Sequence, residues 1–372
     1  MTVRRPKTLE DVARAAGVSK TTASVVLNGR GADGRISEST RLRVFESADL
    51  LGYVPDHAAR SLRCRRTGII KLLLWRIGGP LFADIAGGVR SVAAAHDLEV
   101  SVVDVGQMEA EMRALKSLGC GSADAVIIAV NRHYAREPAL DALRRLIDRG
   151  LPAVILLEGS PDPRVPSIRV DDEGGGYLAT RHLIQLGHRA IAHFVWDDVP
   201  LELGEPDAAA ARYRGYRRAL DDADIAFDER WLVTGRRTSS GGREIALAFL
   251  ERNPDPSTRP TAIFAANDVI AVGGLRGLHE GGLAVPRDVA VVGFHNTEIG
   301  TLTTPSLTTV AHGGVDLGRR AAELVVQMLN GAPPPFQEMV VPVKLVIRES
   351  CGALAAGLTR SLEQPLARVT SA

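Results

Sequence analysis

From Gly68 onward, short apolar runs alternate with longer amphipathic stretches, and this alternation constrains the fold more than any other feature of the chain. The apolar runs fall at residues 69–75, 100–105, 125–130, 153–157, 190–195, 262–265 and 289–294. Helical periodicity occupies 83–95, 140–149, 177–186, 208–220, 269–280 and 316–329. A short run that is apolar throughout reads as a strand buried on both faces, which requires helices on both sides and hence a parallel sheet. Nearly 280 residues of such alternation exceed one core and predict two doubly wound lobes. Such folds bind ligands outside the carboxyl ends of their strands, here in the cleft between lobes.

The first 66 residues have a different character. They hold 13 Lys and Arg against 7 Asp and Glu, leaving 32 against 37 for the remainder. A basic head on an acidic body is the charge distribution expected when one end approaches polyphosphate and the other does not. Thr8 and Asp11 have capping-box spacing and open a helical stretch from Leu9 to Ala16. Gly17 stops it, and Ser19 is placed to cap a second helix from Lys20 to Leu27. Two short helices joined by Gly17-Val18-Ser19 form a helix-turn-helix pattern. Lys20, Thr21, Thr22 and Ser24 on the second helix are small or flexible enough to reach base edges and phosphates. A third helix, Ser37 to Leu51, supplies Val44, Ala48 and Leu51 to the small core.

The ordered set Thr8-Leu9-Glu10-Asp11-Val12-Ala13, Ala16-Gly17-Val18-Ser19, Asn28-Gly29, Ile36-Ser37 and Leu51-Gly52-Tyr53-Val54-Pro55 resembles the LacI/GalR family of repressors. The likeness continues through Ala59-Arg60-Ser61-Leu62 and, further on, Val170-Asp171-Asp172, Arg212-Tyr213-Arg214-Gly215-Tyr216, Ala265-Ala266-Asn267-Asp268, Val291-Val292-Gly293-Phe294 and Arg348-Glu349-Ser350. It implies a small all-α helix-turn-helix head over 1–54 and a hinge helix with linker over 55–66. A two-lobed α/β periplasmic-binding-protein-like effector and dimerisation domain, built on two doubly wound parallel sheets, then spans 67–350. Residues 351–372 are expected to form a weakly ordered tail. The implied function is a homodimeric, cytoplasmic transcriptional repressor on palindromic double-stranded operator DNA, controlled by a small effector. The implied DNA-binding set is Thr8, Ser19, Lys20, Thr21, Thr22, Ser24, Asn28, Arg35, Tyr53 and Leu62, with Leu62 the apolar wedge that unstacks a minor-groove base step.

Two departures stand out in the head. Val25 follows Ser24 where the family usually has arginine, so a guanine-reading donor is missing. The linker Arg30 to Arg35 is longer than the family norm, and its arginines either contact phosphates or are solvated loop charges.

The implied effector set is Phe82, Arg212, Arg236, Asn267 and His295. Arg212 offers a planar fork of donors, and Asn267 offers both a donor and an acceptor. His295 stands where the family usually has an aspartate that accepts from two sugar hydroxyls. A neutral imidazole accepts only one hydrogen bond. The effector is therefore expected to be a sugar or an anionic sugar derivative, the latter suited by a protonated His295 acting with Arg212.

Other chemistry lacks its residues. Cys64, Cys120 and Cys351 are too few and too dispersed for a disulfide framework or a paired-Cys zinc site. His182, His188 and His193 match no common metal spacing, and no cofactor is indicated. Gly174-Gly175-Gly176 reads as a tight helix start rather than a phosphate loop, and no nucleophile elbow or kinase signature occurs, so no enzyme is expected. The first twenty residues do not have the form of an export signal, and no membrane partner is expected. A ligand carrier of the same lobe architecture and an architectural DNA binder with a vestigial cleft are the alternative readings.

Overall fold

The structure is a computed structural model that describes residues 7–27, 36–53, 66–106, 108–129, 137–197, 207–354 and 357, together with the backbone of 368–370. The chain divides into two compact units, residues 1–67 and 68–372.

The first unit contains helices α1 (Leu9–Ala15), α2 (Lys20–Leu27) and α3 (Glu38–Leu51). Thr8 and Asp11 close a reciprocal capping box, with the Thr8 amide donating to the Asp11 carboxylate at 2.9 Å. Gly17 takes φ +64°, a left-handed conformation that a side chain would resist, and so turns the chain between α1 and α2. The Ser19 hydroxyl caps α2 by accepting the Thr22 amide at 3.0 Å. Val12, Ala13, Ala16, Ala23, Val26, Val44 and Ala48 form the core, with Leu51 and Tyr53 packed at its margin.

The second unit begins with β1 (Ile69–Leu74), α4 (Pro80–Ala95), β2 (Glu99–Asp104), α5 (Met108–Gly119), β3 (Ala125–Ala129), α6 (Glu137–Asp148), β4 (Ala153–Leu157) and β5 (Ser167–Val170). It continues with α7 (Asp172–Gln185), β6 (Ile191–Trp196), α8 (Ala208–Asp221), β7 (Leu232–Gly235), α9 (Ser239–Arg252), β8 (Ala262–Ala265), α10 (Asp268–Glu280), β9 (Ala290–Phe294) and β10 (Thr308–Ala311). Then follow α11 (Gly314–Leu329), β11 (Glu338–Val341), β12 (Lys344–Val346) and β13 (Arg368–Thr370).

The strands form two sheets, ordered β13-β11-β5-β4-β3-β1-β2 and β12-β10-β9-β8-β6-β7. Neighbours are parallel except for β11 with β13 and β10 with β12, both at sheet edges. The chain therefore crosses between the two sheets four times, after Val170, after Ala311, after Val341 and between Val346 and Arg368. The first and third crossings run side by side, since the Asp171 amide donates to the Val341 carbonyl at 3.1 Å. A buried apolar cluster joins residues of both sheets, including Leu156, Val170, Phe294 and Val310.

Strand β13 departs from the weakly ordered tail expected after residue 350. Its backbone pairs antiparallel with Glu338 to Val340 and covers the edge that β11 would otherwise expose. Among the described residues no helix is long and apolar enough to cross a membrane.

Candidate functional site

A cavity of about 340 Å³ lies between the lobes, within the range of small-molecule sites. Its walls are the loops that leave the carboxyl ends of strands in both sheets. Trp75 and Arg76 follow β1, Leu157 ends β4, Trp196 ends β6, Arg237 follows β7, Asn267 follows β8, and His295 follows β9. Phe82, on the first turn of α4, adds an apolar wall.

Glycines decide where Arg212 sits. Cβ atoms on Gly176 of α7 and Gly215 of α8 would collide with the carbonyl oxygens of Arg212 and Glu173, so the two helices cross with their backbones in contact. That crossing brings Arg212 of α8 to Asp172 at the start of α7, with Nε and Nη2 each 2.8 Å from Oδ1. Both side chains are buried. A Cβ on Gly175 would strike the Phe294 ring, and that ring carries the Arg212 guanidinium 3.8 Å above its centroid. The three consecutive glycines are thus part of a helix capped by Asp171, whose carboxylate accepts the Gly174 amide. Burial pushes the Asp172 carboxyl up, against the opposing pull of Arg212.

His295 is neutral in this setting, contrary to the protonated form expected from the sequence. Arg212 can only donate, so its Nη1, 3.3 Å away, makes His295 Nε2 an acceptor. The ring proton is then on Nδ1, which donates to His312 Nε2 at 2.7 Å. Burial and the charge of Arg212 hold His295 well below its ordinary value and take His312 down to about 3. Arg212 is paired and His295 uncharged, so these two do not supply the anion site expected of them. His295 also has φ 108°, a costly conformation for a non-glycine residue and one found at a ligand cleft. His312 lies on the second crossing between lobes, so the hydrogen bond links cleft to crossover.

Asn267 caps α10 by accepting the Ile270 amide at 2.8 Å through Oδ1, an assignment that leaves its Nδ2 as a donor. Arg236 is not in the cavity. It is exposed and pairs with Glu244, while Arg237 lines the cleft with its guanidinium 3.9 Å over the Trp196 ring. Alternation along the extended chain from buried Val233 through Gly235 to Arg237 carries the signal that separates these neighbours. Sequence reasoning also missed Asp172, Trp196 and Asp268. Asp268 accepts from the Thr297 amide and hydroxyl and from the Thr309 hydroxyl, and burial pushes its carboxyl up to about 6.

In the head, Thr8, Ser19, Lys20 and Thr21 are exposed, and Thr22 and Tyr53 are half-buried. Ser24 is 7% exposed and faces the core, so it is withdrawn from the base-reading surface proposed for it. Helical geometry explains this, because Ser24 shares a side of α2 with Leu27, three residues on, which packs against the core. Asn28, Arg35, Leu62, the Arg30–Arg35 linker and nearly all of the 55–66 hinge lie outside the described residues.

His182, His188 and His193 go to separate partners: Cys351 at 3.4 Å, the Thr261 hydroxyl at 2.9 Å and the Phe264 carbonyl at 2.9 Å. Among the described residues no group of three His, Cys, Asp or Glu side chains is placed to hold a metal ion.

Residues 8–56 match the model of bacterial regulatory proteins of the lacI family, and residues 180–351 match that of the periplasmic binding protein-like domain. The chain is 31% identical over 346 residues to the HTH-type transcriptional repressor PurR of Aliivibrio fischeri (strain MJ11), covering 92% of this chain and 98% of the relative. The chain belongs to the lacI family of bacterial regulatory proteins. Among solved structures, the lac repressor dimer bound to operator and the anti-inducer ONPF matches with TM-score 0.76 and 27% identity, over 93% of this chain and 99% of that one. The complex of the transcriptional regulator CelR with cellobiose matches with TM-score 0.66 and 30% identity, over 93% and 100%. The lacI-family chain is thus a helix-turn-helix transcriptional regulator with a two-lobed α/β effector domain, as the sequence implied. Its relatives are regulators of transcription rather than enzymes.

Proposed function

We propose that this lacI-family regulator is a cytoplasmic homodimeric repressor whose affinity for a palindromic operator changes when a sugar-sized polar effector enters the cavity between its lobes. The observation that carries this reading is the cavity itself. It is bounded by both sheets and lined by polar side chains held in fixed positions, so a bound molecule contacts both lobes at once. A ligand that touches both lobes favours one interlobe arrangement over others, and this difference in affinity is the source of any coupling to DNA.

The effector contacts we assign are Arg212, Asp172, Asn267, Phe82, Trp196, Arg237 and His295. Trp196 and Phe82 offer apolar faces to ring C–H groups, and Asn267 Nδ2 is suited to ring hydroxyls. Cellobiose and ONPF, held by the relatives described above, are molecules of this class. In the head, Ser19, Lys20, Thr21 and Thr22 are the DNA contacts we assign. Asn28, Arg35 and Leu62 join them from the family resemblance alone, as do the boundaries of head, hinge and effector domain.

The test is equilibrium operator binding by fluorescence anisotropy, with operators obtained by selection from genomic fragments. A cavity ligand found by thermal-shift screening should change the operator Kd by about 5- to 150-fold. A ligand that binds the cavity and leaves operator affinity unchanged contradicts this reading.

A further inference from the structure

We propose that His312 is a positioning residue of the switch: without touching the effector, it ties His295 in the cleft to the second crossing between lobes and so sets how strongly cleft occupancy changes operator affinity. The proposal rests on reading the cavity as the effector site and names the side chain that carries its signal outward.

Both ends of the tie are fixed by their surroundings. His295 follows β9 and His312 follows β10, neighbouring parallel strands in which Phe294 pairs with Val310. The His295 amide donates to the Val310 carbonyl at 2.7 Å, and its side chain reaches His312 at the same distance. His295 and the next residue, Asn296, have φ 108° and 53°. Asn296 Oδ1 accepts from Arg348 at 2.6 Å, and the Asn296 amide donates to the Thr309 hydroxyl at 3.2 Å. Non-glycine residues keep such a backbone only where their neighbours over-determine it, so the aim of the His295 ring is built into the loop.

Arg212 gives the hydrogen bonds a direction. A guanidinium only donates, so His295 Nε2 accepts, His295 Nδ1 donates to His312 Nε2, and the His312 proton is on Nδ1. That last N–H is buried and has no hydrogen-bond partner among the described residues. A buried donor left unmade is costly, and an interlobe arrangement that brings it an acceptor relieves the cost. The relay therefore ends on a group that favours a second arrangement of the crossing, and a ligand contact at His295 biases the choice between the two.

Beyond His312 the chain enters the helices of the first lobe. Gly313 has φ 75° and opens α11 without a side-chain cap. A Cβ on Gly318 would strike the Ile85 carbonyl oxygen, and one on Gly88 the Val315 carbonyl oxygen, so α11 and α4 cross with their backbones in contact. Helix α11 also packs on β3 and β4 of the first sheet. The same pair of helices thus meets the cleft through Phe82 and meets His295 through His312. His312 is not among the described residues that line the cavity. A molecule held between Phe82 and His295 sets the spacing that His312 bridges.

The experiment compares His312→Phe, which keeps a ring but has no acceptor, with His312→Gln, whose amide oxygen can still accept from His295 Nδ1. Fluorescence anisotropy on the full chain gives operator Kd without ligand and with cellobiose, ribose, gluconate or glucose 6-phosphate, and calorimetry gives the Kd of each probe. Stoichiometric operator titration fixes the active fraction, so partial unfolding is not read as weakened affinity. His312→Phe should change the ligand-free operator Kd threefold or more. For any probe that shifts the parent, it should also reduce the coupling factor threefold or more while the probe Kd stays within threefold. His312→Gln should restore both quantities. A smaller change in either overturns the proposal, as does His312→Gln behaving like His312→Phe, or probe affinity falling in step with coupling. Where no probe binds, the ligand-free operator Kd decides. A probe that binds the parent without moving operator affinity defeats the effector reading, whereas coupling that survives His312→Phe defeats the His312 assignment and leaves that reading intact.

Discussion

Arg212 and Asp172 form a buried ion pair at 2.8 Å that only a glycine-mediated helix crossing makes possible. Removing one partner of such a pair strands the other's charge in a poorly solvated site. Arg212→Met should lower stability to urea by about 3–5 kcal/mol, and the double variant Arg212→Met with Asp172→Leu should recover much of that loss. Gly215→Ala should destabilise as well, because its new Cβ meets the Glu173 carbonyl. Urea denaturation of the purified variants checks all three, and an Arg212→Met protein as stable as the parent contradicts the assigned pairing.

The buried histidines set the acid side of the stability profile. His182 and His193 are lowered to about 4 and His312 to about 3 from an ordinary 6.5, with burial the largest cause in each. The unfolded chain therefore takes up protons below about pH 6.5 that the folded chain refuses. Stability is fully present above that value and falls on acidification, with a slope of about 1.4 kcal/mol per pH unit for each histidine. His312→Gln should give a shallower slope between pH 6 and 4 than the parent. Nitrogen-15 spectra should place the His295 proton on Nδ1 and show no titration of the His312 ring above pH 5.

Asp268 acts in the opposite direction. Its carboxyl is raised from 3.8 to about 6 by burial, so between those values the folded state holds a proton that the unfolded chain has lost. Its contribution to stability declines as pH rises from about 4 to 6 and is level beyond, a total on the order of 2–3 kcal/mol. Subtracting the stability profile of Asp268→Asn from that of the parent should isolate this descent, and a flat difference over that range contradicts it.

On the DNA side, Lys20 is exposed at the head of α2 and only loosely paired with Glu10 at 3.7 Å. Lys20→Ala should weaken binding to all DNA sequences alike and reduce the slope of log affinity against log salt by about 0.9. Ser24→Ala should change the melting of the head and leave base preference alone. A shift in base preference for Ser24→Ala, measured by selection from a randomised operator pool, contradicts the inward placement of that side chain.

The lobes were legible in the sequence because parallel strands buried on both faces leave unbroken apolar runs. Ile69 to Leu74 and Ala290 to Phe294 are strands close to where those runs predicted them. Helical periodicity shows only from Tyr177, although α7 begins at Asp172, because its first turns are Asp-Glu-Gly-Gly-Gly and glycine weakens any helical signal. Helix α9 was missed for a related reason, since it opens on Ser-Ser-Gly-Gly. Edge strands β7 and β12, and β11 next to an edge, are only three or four residues long and carry little periodicity. Four of the five expected cleft residues converge, and the fifth, Arg236, gave way to its neighbour. What no local pattern reveals is pairing between distant elements. Asp172 with Arg212, His295 with His312 and Trp196 with Arg237 meet only once the sheets are assembled.

The central claim is that occupancy of the cleft and grip on the operator are one equilibrium. Its most direct test is a thermodynamic cycle on the full-length protein, measuring operator Kd with and without ligand and ligand Kd with and without operator. The account predicts equal coupling factors in the two directions, about 5- to 150-fold, abolished with ligand affinity in an Asn267→Ala variant. Tight binding at the cleft with a coupling factor of one would contradict it.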